Sequence, residues 1–94
     1  MKTRYQGKKN LCGGNISKLR KSLRPKVSQR DLADKLQLVG MDVDKNAISL
    51  IENGDRFITD IELKIIATFF SISTDELLSI STDGLQNTTV FEAQ

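Results

Sequence analysis

The chain has 94 residues, 38% hydrophobic and 28% charged, values that suit one globular domain, since independent domains usually run to about 100–150 residues. Histidine is absent and Cys12 is the single cysteine, which excludes a disulfide framework, a zinc site of the usual Cys/His kind and any mechanism built on an imidazole base. The net charge of +2 conceals a division, with ten Lys/Arg and no acid in residues 1–30, and four bases with all twelve acids in residues 31–94. Clustered bases of this kind suit a polyanion partner, because they displace counterions from it, although a solvated basic terminus has the same composition.

Residues 1–14 show no apolar periodicity and contain Gly7, Gly13 and Gly14, which predicts a flexible basic arm. No signal-peptide stretch follows this start, and no apolar run approaches the roughly 18 residues of a membrane span. An intracellular, cytoplasmic protein in a reducing compartment, with no membrane partner, is expected. Asn15 is the expected cap of a first helix whose Ile16, Leu19 and Leu23 form one apolar stripe, ended by Pro25. Ser28 opens a second helix, its hydroxyl placed to accept from the Asp31 N–H, with Leu32, Ala33 and Leu36 inward. Gly40 breaks that helix, and residues 41–43 form a short connection.

Asp44 caps a third helix, KNAISLIEN, with Ile48 and Ile51 inward and Asn53-Gly54 as its stop. Thr59-Asp60-Ile61-Glu62 forms a capping box for a fourth helix. Its Ile61, Ile65 and Phe69 lie on one side, with Ile66 and Phe70 beside them, so it is expected to be the central element of the core. Ser73-Thr74-Asp75-Glu76 is a second capping box, leading into Leu77, Leu78 and Ile80. The sequence thus predicts an all-α fold, a compact five-helix bundle over residues 15–80. Residues 81–94 are either a frayed tail or a piece that pairs with a partner chain to form a dimer.

Five pieces in this order resemble the phage repressor/Cro (Xre-like) helix-turn-helix family: NISKLRKSL, VSQRDLADKL, NAISLIENGDR, and then ITDIELKIIATFFSISTDELL for the last two helices. The resemblance covers roughly residues 15–80 and implies a sequence-specific DNA-binding transcriptional regulator, repressor-like, with the third helix in the major groove of double-stranded DNA. It implies base-facing positions at Lys45, Asn46 and Ser49, with Asn46 suited to adenine and Lys45 to guanine or a phosphate. Gln29 matches the family's phosphate contact, Arg30 beside it joins the DNA-contacting set, and Asn53 and Arg56 match further backbone contacts. Arg20 and Glu52 match a structural ion pair between the first and third helices. A homodimer is implied, because one recognition helix reads too few base pairs for selectivity.

Three departures from the family pattern stand out. The link QLVGMDVD between the second and third helices is several residues longer than the usual tight turn, and carries Asp42 and Asp44. Leu50 sits where the family often has a polar residue, and can meet a thymine methyl, lie under the long link, or belong to a protein interface. RPKV between the first two helices is also long, which places Arg24 and Lys26 near the expected DNA backbone.

Enzymatic readings fare poorly. Asp42-Val-Asp44-Lys-Asn46 begins like a calcium loop, but Ala47 replaces the needed glycine and Asn53 the bidentate glutamate. Gly13-Gly14 lacks the spacing of a phosphate loop. Cys12, on a mobile basic arm, would have a lowered pKa, yet a stray reduced thiol is the commoner case. No enzyme, cofactor or metal is therefore expected. The rival reading uses the same fold as a protein-binding module, such as an antitoxin covering a partner protein, and draws on the −8 charge of residues 31–94 and on the apolar Val90-Phe91.

Overall fold

A computed structural model describes residues 7–79. Five helices are present among them: α1 Gly13–Ser22, α2 Gln29–Leu38, α3 Lys45–Glu52, α4 Asp60–Phe69 and α5 Thr74–Leu77. The architecture is all-α. The expectations for residues 1–6, for Ile80 and for the 81–94 tail lie outside the described residues.

Local chemistry explains most of the boundaries. Ser28, Thr59 and Ser73 each accept from the backbone N–H three residues on, while Asp31, Glu62 and Glu76 reach back to the cap, closing three capping boxes. Each box satisfies two N–H groups that a helix start would otherwise leave orphaned. Asp44 caps α3 by accepting from Ala47 N at 2.8 Å. Gly54 ends α3 with φ +80°, a conformation that costs glycine nothing.

The start of α1 departs from expectation. It begins at Gly13, and Asn15 is not its cap. Instead the Asn15 amide donates to Leu77 O at 2.8 Å, tying α1 to α5. Asn10 takes over the terminus, its Oδ1 accepting from Gly13 N at 2.8 Å. The same amide donates to Ile51 O at 3.1 Å and Arg56 O at 2.8 Å, so residues 7–14 are stitched to the exit of α3 rather than standing off as an arm. Gly13 permits this approach, since a Cβ there would collide with the Ile51 carbonyl oxygen.

The core runs along α3. Ile48 and Ile51 are fully buried among Ile16 of α1, Leu32, Ala33 and Leu36 of α2, Ile66 and Ala67 of α4, and Leu77 of α5. Cys12, the residue before α1, and Val27, Met41 and Val43 in connecting segments complete it. The expectation that α4 is central does not hold: α3 packs on both α1 and α2, whereas α4 meets α2 and α5. Ile61 is 70% exposed, because no described element covers its side of α4, whereas Ile65 and Phe69 pack against the core. Cys12 is buried, not mobile, and loss of solvation pushes its thiol up to about 11, the reverse of the lowered pKa expected on a basic arm.

Candidate nucleic-acid interface

The amphipathic spacing of α3 decides which of its residues face out. With Ile48 and Ile51 turned inward, Lys45 and Asn46 in the first turn are exposed, Ser49 one turn later is half-buried, and Leu50 is exposed. The Asp44 carboxylate is occupied by the Ala47 N–H, so its charge faces the helix start. A shallow cleft of about 300 Å³ separates α2 from this first turn, lined by Arg30, Asp34 and Gln37 on one side and Asp44, Lys45 and Asn46 on the other. Arg30 is thereby brought together with Lys45 and Asn46 of the next helix.

The long link leaves this face clear. Helix α2 is not extended by it, and residues 39–44 turn back towards the interior, where Met41 and Val43 are buried. Gln37 pins the turn by donating its amide to Val43 O at 2.6 Å. Of the three placements open for Leu50, cover by the link is thus excluded, since that side chain stays exposed.

A polar network joins α1, the start of α2 and the end of α3. Arg20 Nε and Nη2 donate to Glu52 Oε2 and Oε1 at 2.7 and 3.0 Å, and Nη1 donates to Val27 O at 3.0 Å. The two side chains are only 12% and 5% exposed, and the Glu52 carboxylate raises the Arg20 pKa above its ordinary value. Gln29, the first residue of α2, donates Nε2 to Glu52 Oε1 at 3.0 Å. One carboxylate at the end of α3 therefore fixes both α1 and the start of α2.

A family model described as helix-turn-helix matches residues 16–77, a stretch that begins inside α1 and ends with α5. The chain belongs to the phage repressor-like (Xre) helix-turn-helix family. Among curated proteins and solved structures there is no match. The family is a DNA-binding one, and α2, the link and α3 form the motif.

Within this helix-turn-helix chain the remaining sequence-derived positions fall in two places. Asn53 follows α3 directly and is exposed; its carbonyl accepts from Lys8 Nζ at 2.8 Å. Arg56 is drawn away to the start of α4, where it holds Glu62 through contacts of 3.1 and 3.0 Å and donates to Phe57 O at 3.2 Å. This bond to Arg56 keeps the Glu62 carboxyl below the usual carboxylate range. Lys8 and Lys9, assigned from sequence to an unattached arm, sit instead beside the exit of α3. Lys9 N donates to Gly54 O at 2.8 Å and its ammonium lies 5.7 Å from the Phe57 ring centroid. No local signal announces that placement, because its partners lie more than forty positions away. Among the described residues no cluster of His, Cys, Asp or Glu suits a metal ion, and no helix is long and apolar enough to cross a membrane.

Proposed function

We propose that this protein is a sequence-specific transcriptional regulator of the repressor-like kind, a homodimer on double-stranded DNA with α3 in the major groove. The observation that carries the reading is the uncovered first turn of α3, where Lys45 and Asn46 stand exposed across a cleft from Arg30. An α-helix fits the major groove, and its leading residues are those that reach base edges. Asn46 reads a base, while Lys45, Ser49 and Arg30 flank it. Gln29 holds a phosphate together with the backbone N–H groups that open α2. A primary amide has two N–H donors; Glu52 takes one from Gln29, and the other remains for the phosphate. Asn53 and Lys8 meet the backbone beyond α3, and Arg56 supports that exit through Glu62.

Selection of bound sequences from a random DNA pool tests the proposal, with a palindrome as the expected product. On the selected site Asn46→Ala costs ~1–3 kcal/mol and relaxes one base position, whereas Gln29→Ala weakens all sequences alike. Equal losses on selected and random DNA for Asn46→Ala would remove the base-reading role.

A second reading, a protein-binding module such as an antitoxin, is favoured by one observation. Leu38 and Val39, at the end of α2, are 86% and 51% exposed, and bare apolar side chains grouped on one face mark protein contact. A module of that kind co-purifies with its partner and selects no DNA sequence.

A further inference from the structure

We propose that residues 85–92 of this same chain dock in an apolar groove framed by the end of α2, the α1–α2 connection and α4. The groove is walled by Leu23, Pro25, Leu38, Val39 and Phe69 and encloses about 770 Å³, space for several side chains. A second hollow of about 280 Å³, with Ile65 and Thr68 in its wall, shares Val39 and Phe69 with the first. The two make one continuous trough.

Charge selects the occupant. Arg24, Lys26, Lys35 and Lys64 rim the trough, against Asp31 and Asp34. Four bases against two carboxylates leave the rim net basic. Residues 80–94 carry Asp83 and Glu92 and no Lys or Arg, and their Val90-Phe91-Glu92 sequence sets an acid beside two large apolar side chains. Such a segment offers apolar groups for the floor and a carboxylate for a rim of net opposite charge.

Reach permits it. Phe69 and Ser79 are separated only by a short turn and α5, a span of at most about 25 Å. The eleven residues from Ser79 to Val90 extend up to about 36 Å. A tethered segment meets its site at an effective concentration in the millimolar range, far above what a second copy supplies at ordinary protein concentrations.

The test uses the full chain with a nitroxide on Ala93→Cys; Cys12 is enclosed in the core and stays unlabelled. Methyl NMR signals of Leu38, Val39 and Ile65 are expected to lose at least half their intensity relative to the reduced label. They recover when Val90→Asp and Phe91→Asp are added, and stay intact when the nitroxide sits on a separate, isotopically silent copy mixed with unmodified chain. Unchanged signals, broadening that survives the two aspartates, or equal broadening in the mixed sample would each overturn the proposal. The last outcome would assign the trough to a second molecule.

Discussion

Glu52 accepts from Arg20 twice and from Gln29 once, in a position 5% exposed. Removing one partner from a dry pair of this kind costs ~3–5 kcal/mol, because the other charge is left buried and alone. At ~4–8 °C per kcal/mol for a domain of this size, Arg20→Ala is expected to lower the melting temperature by more than about 10 °C. An unchanged transition in calorimetry would contradict it. Cys12 gives a second measurable consequence. Burial pushes its thiol from 9.0 to about 11, so the fold prefers the protonated form and the unfolded chain ionises first. This preference is intact below pH 9.0 and is lost as pH rises towards about 11, a loss of ~2–3 kcal/mol. Urea unfolding of the wild type should therefore weaken faster than that of Cys12→Ala over this alkaline range, and parallel curves would refute the effect. The ion pair was legible through the motif that carries it. The burial of Cys12 was not, because the atoms that enclose it come from helices that follow it in the chain.

At the scale of elements, helix starts were the most legible part of the sequence. The Ser28, Thr59 and Ser73 boxes and the Asp44 cap are local hydrogen-bond arrangements, complete within four residues, so no tertiary information is needed to read them. The start of α1 obeys a long-range rule instead: its first residue must let the Ile51 carbonyl pass. Gly13→Ala is accordingly expected to cost ~1–3 kcal/mol through overpacking, although alanine is the better helix former. Gly14→Ala, at the exposed neighbour, supplies the control and should be neutral or stabilising by ~0.5–1 kcal/mol. Thermal melts of the two variants separate the cases, and equal shifts would remove the steric account. The α4 stripe misled for a related reason. Apolar periodicity shows that a face exists, but not whether another element lies over it, and Ile61 stays bare.

Across the whole molecule, the division of charge acquires a position. Lys8, Lys9, Arg30 and Lys45 gather around the two ends of α3, although they come from three separate segments. If they meet phosphates, the logarithm of affinity falls by ~0.9 per log unit of salt for each phosphate neutralised. Fluorescence anisotropy on the selected site across a salt series should give a slope of several such units, and Lys45→Ala should reduce it by about one. A flat response would exclude a backbone-held complex. The fold class was open to sequence reasoning because helix periodicity and capping agree along most of the chain. The candidate site was legible only where it sits on α3 and at the start of α2, and its flank by Lys8 and Lys9 was hidden by the distance to their partners.

Asn10 has a practical consequence for anyone cutting this gene. A fragment trimmed to the stretch that matches the family, residues 16–77, discards the side chain that clasps Gly13, Ile51 and Arg56, together with Cys12 and the opening turn of α1. Such a fragment would strip the Arg56 carbonyl of its Asn10 donor and leave the Ile51 carbonyl to Gly54 N alone on that side, and would remove a buried member of the core. The smallest expressible unit thus begins upstream of the recognisable motif, and a tag fused close to Lys8 would crowd the exit of α3, where Lys8 holds the Asn53 carbonyl.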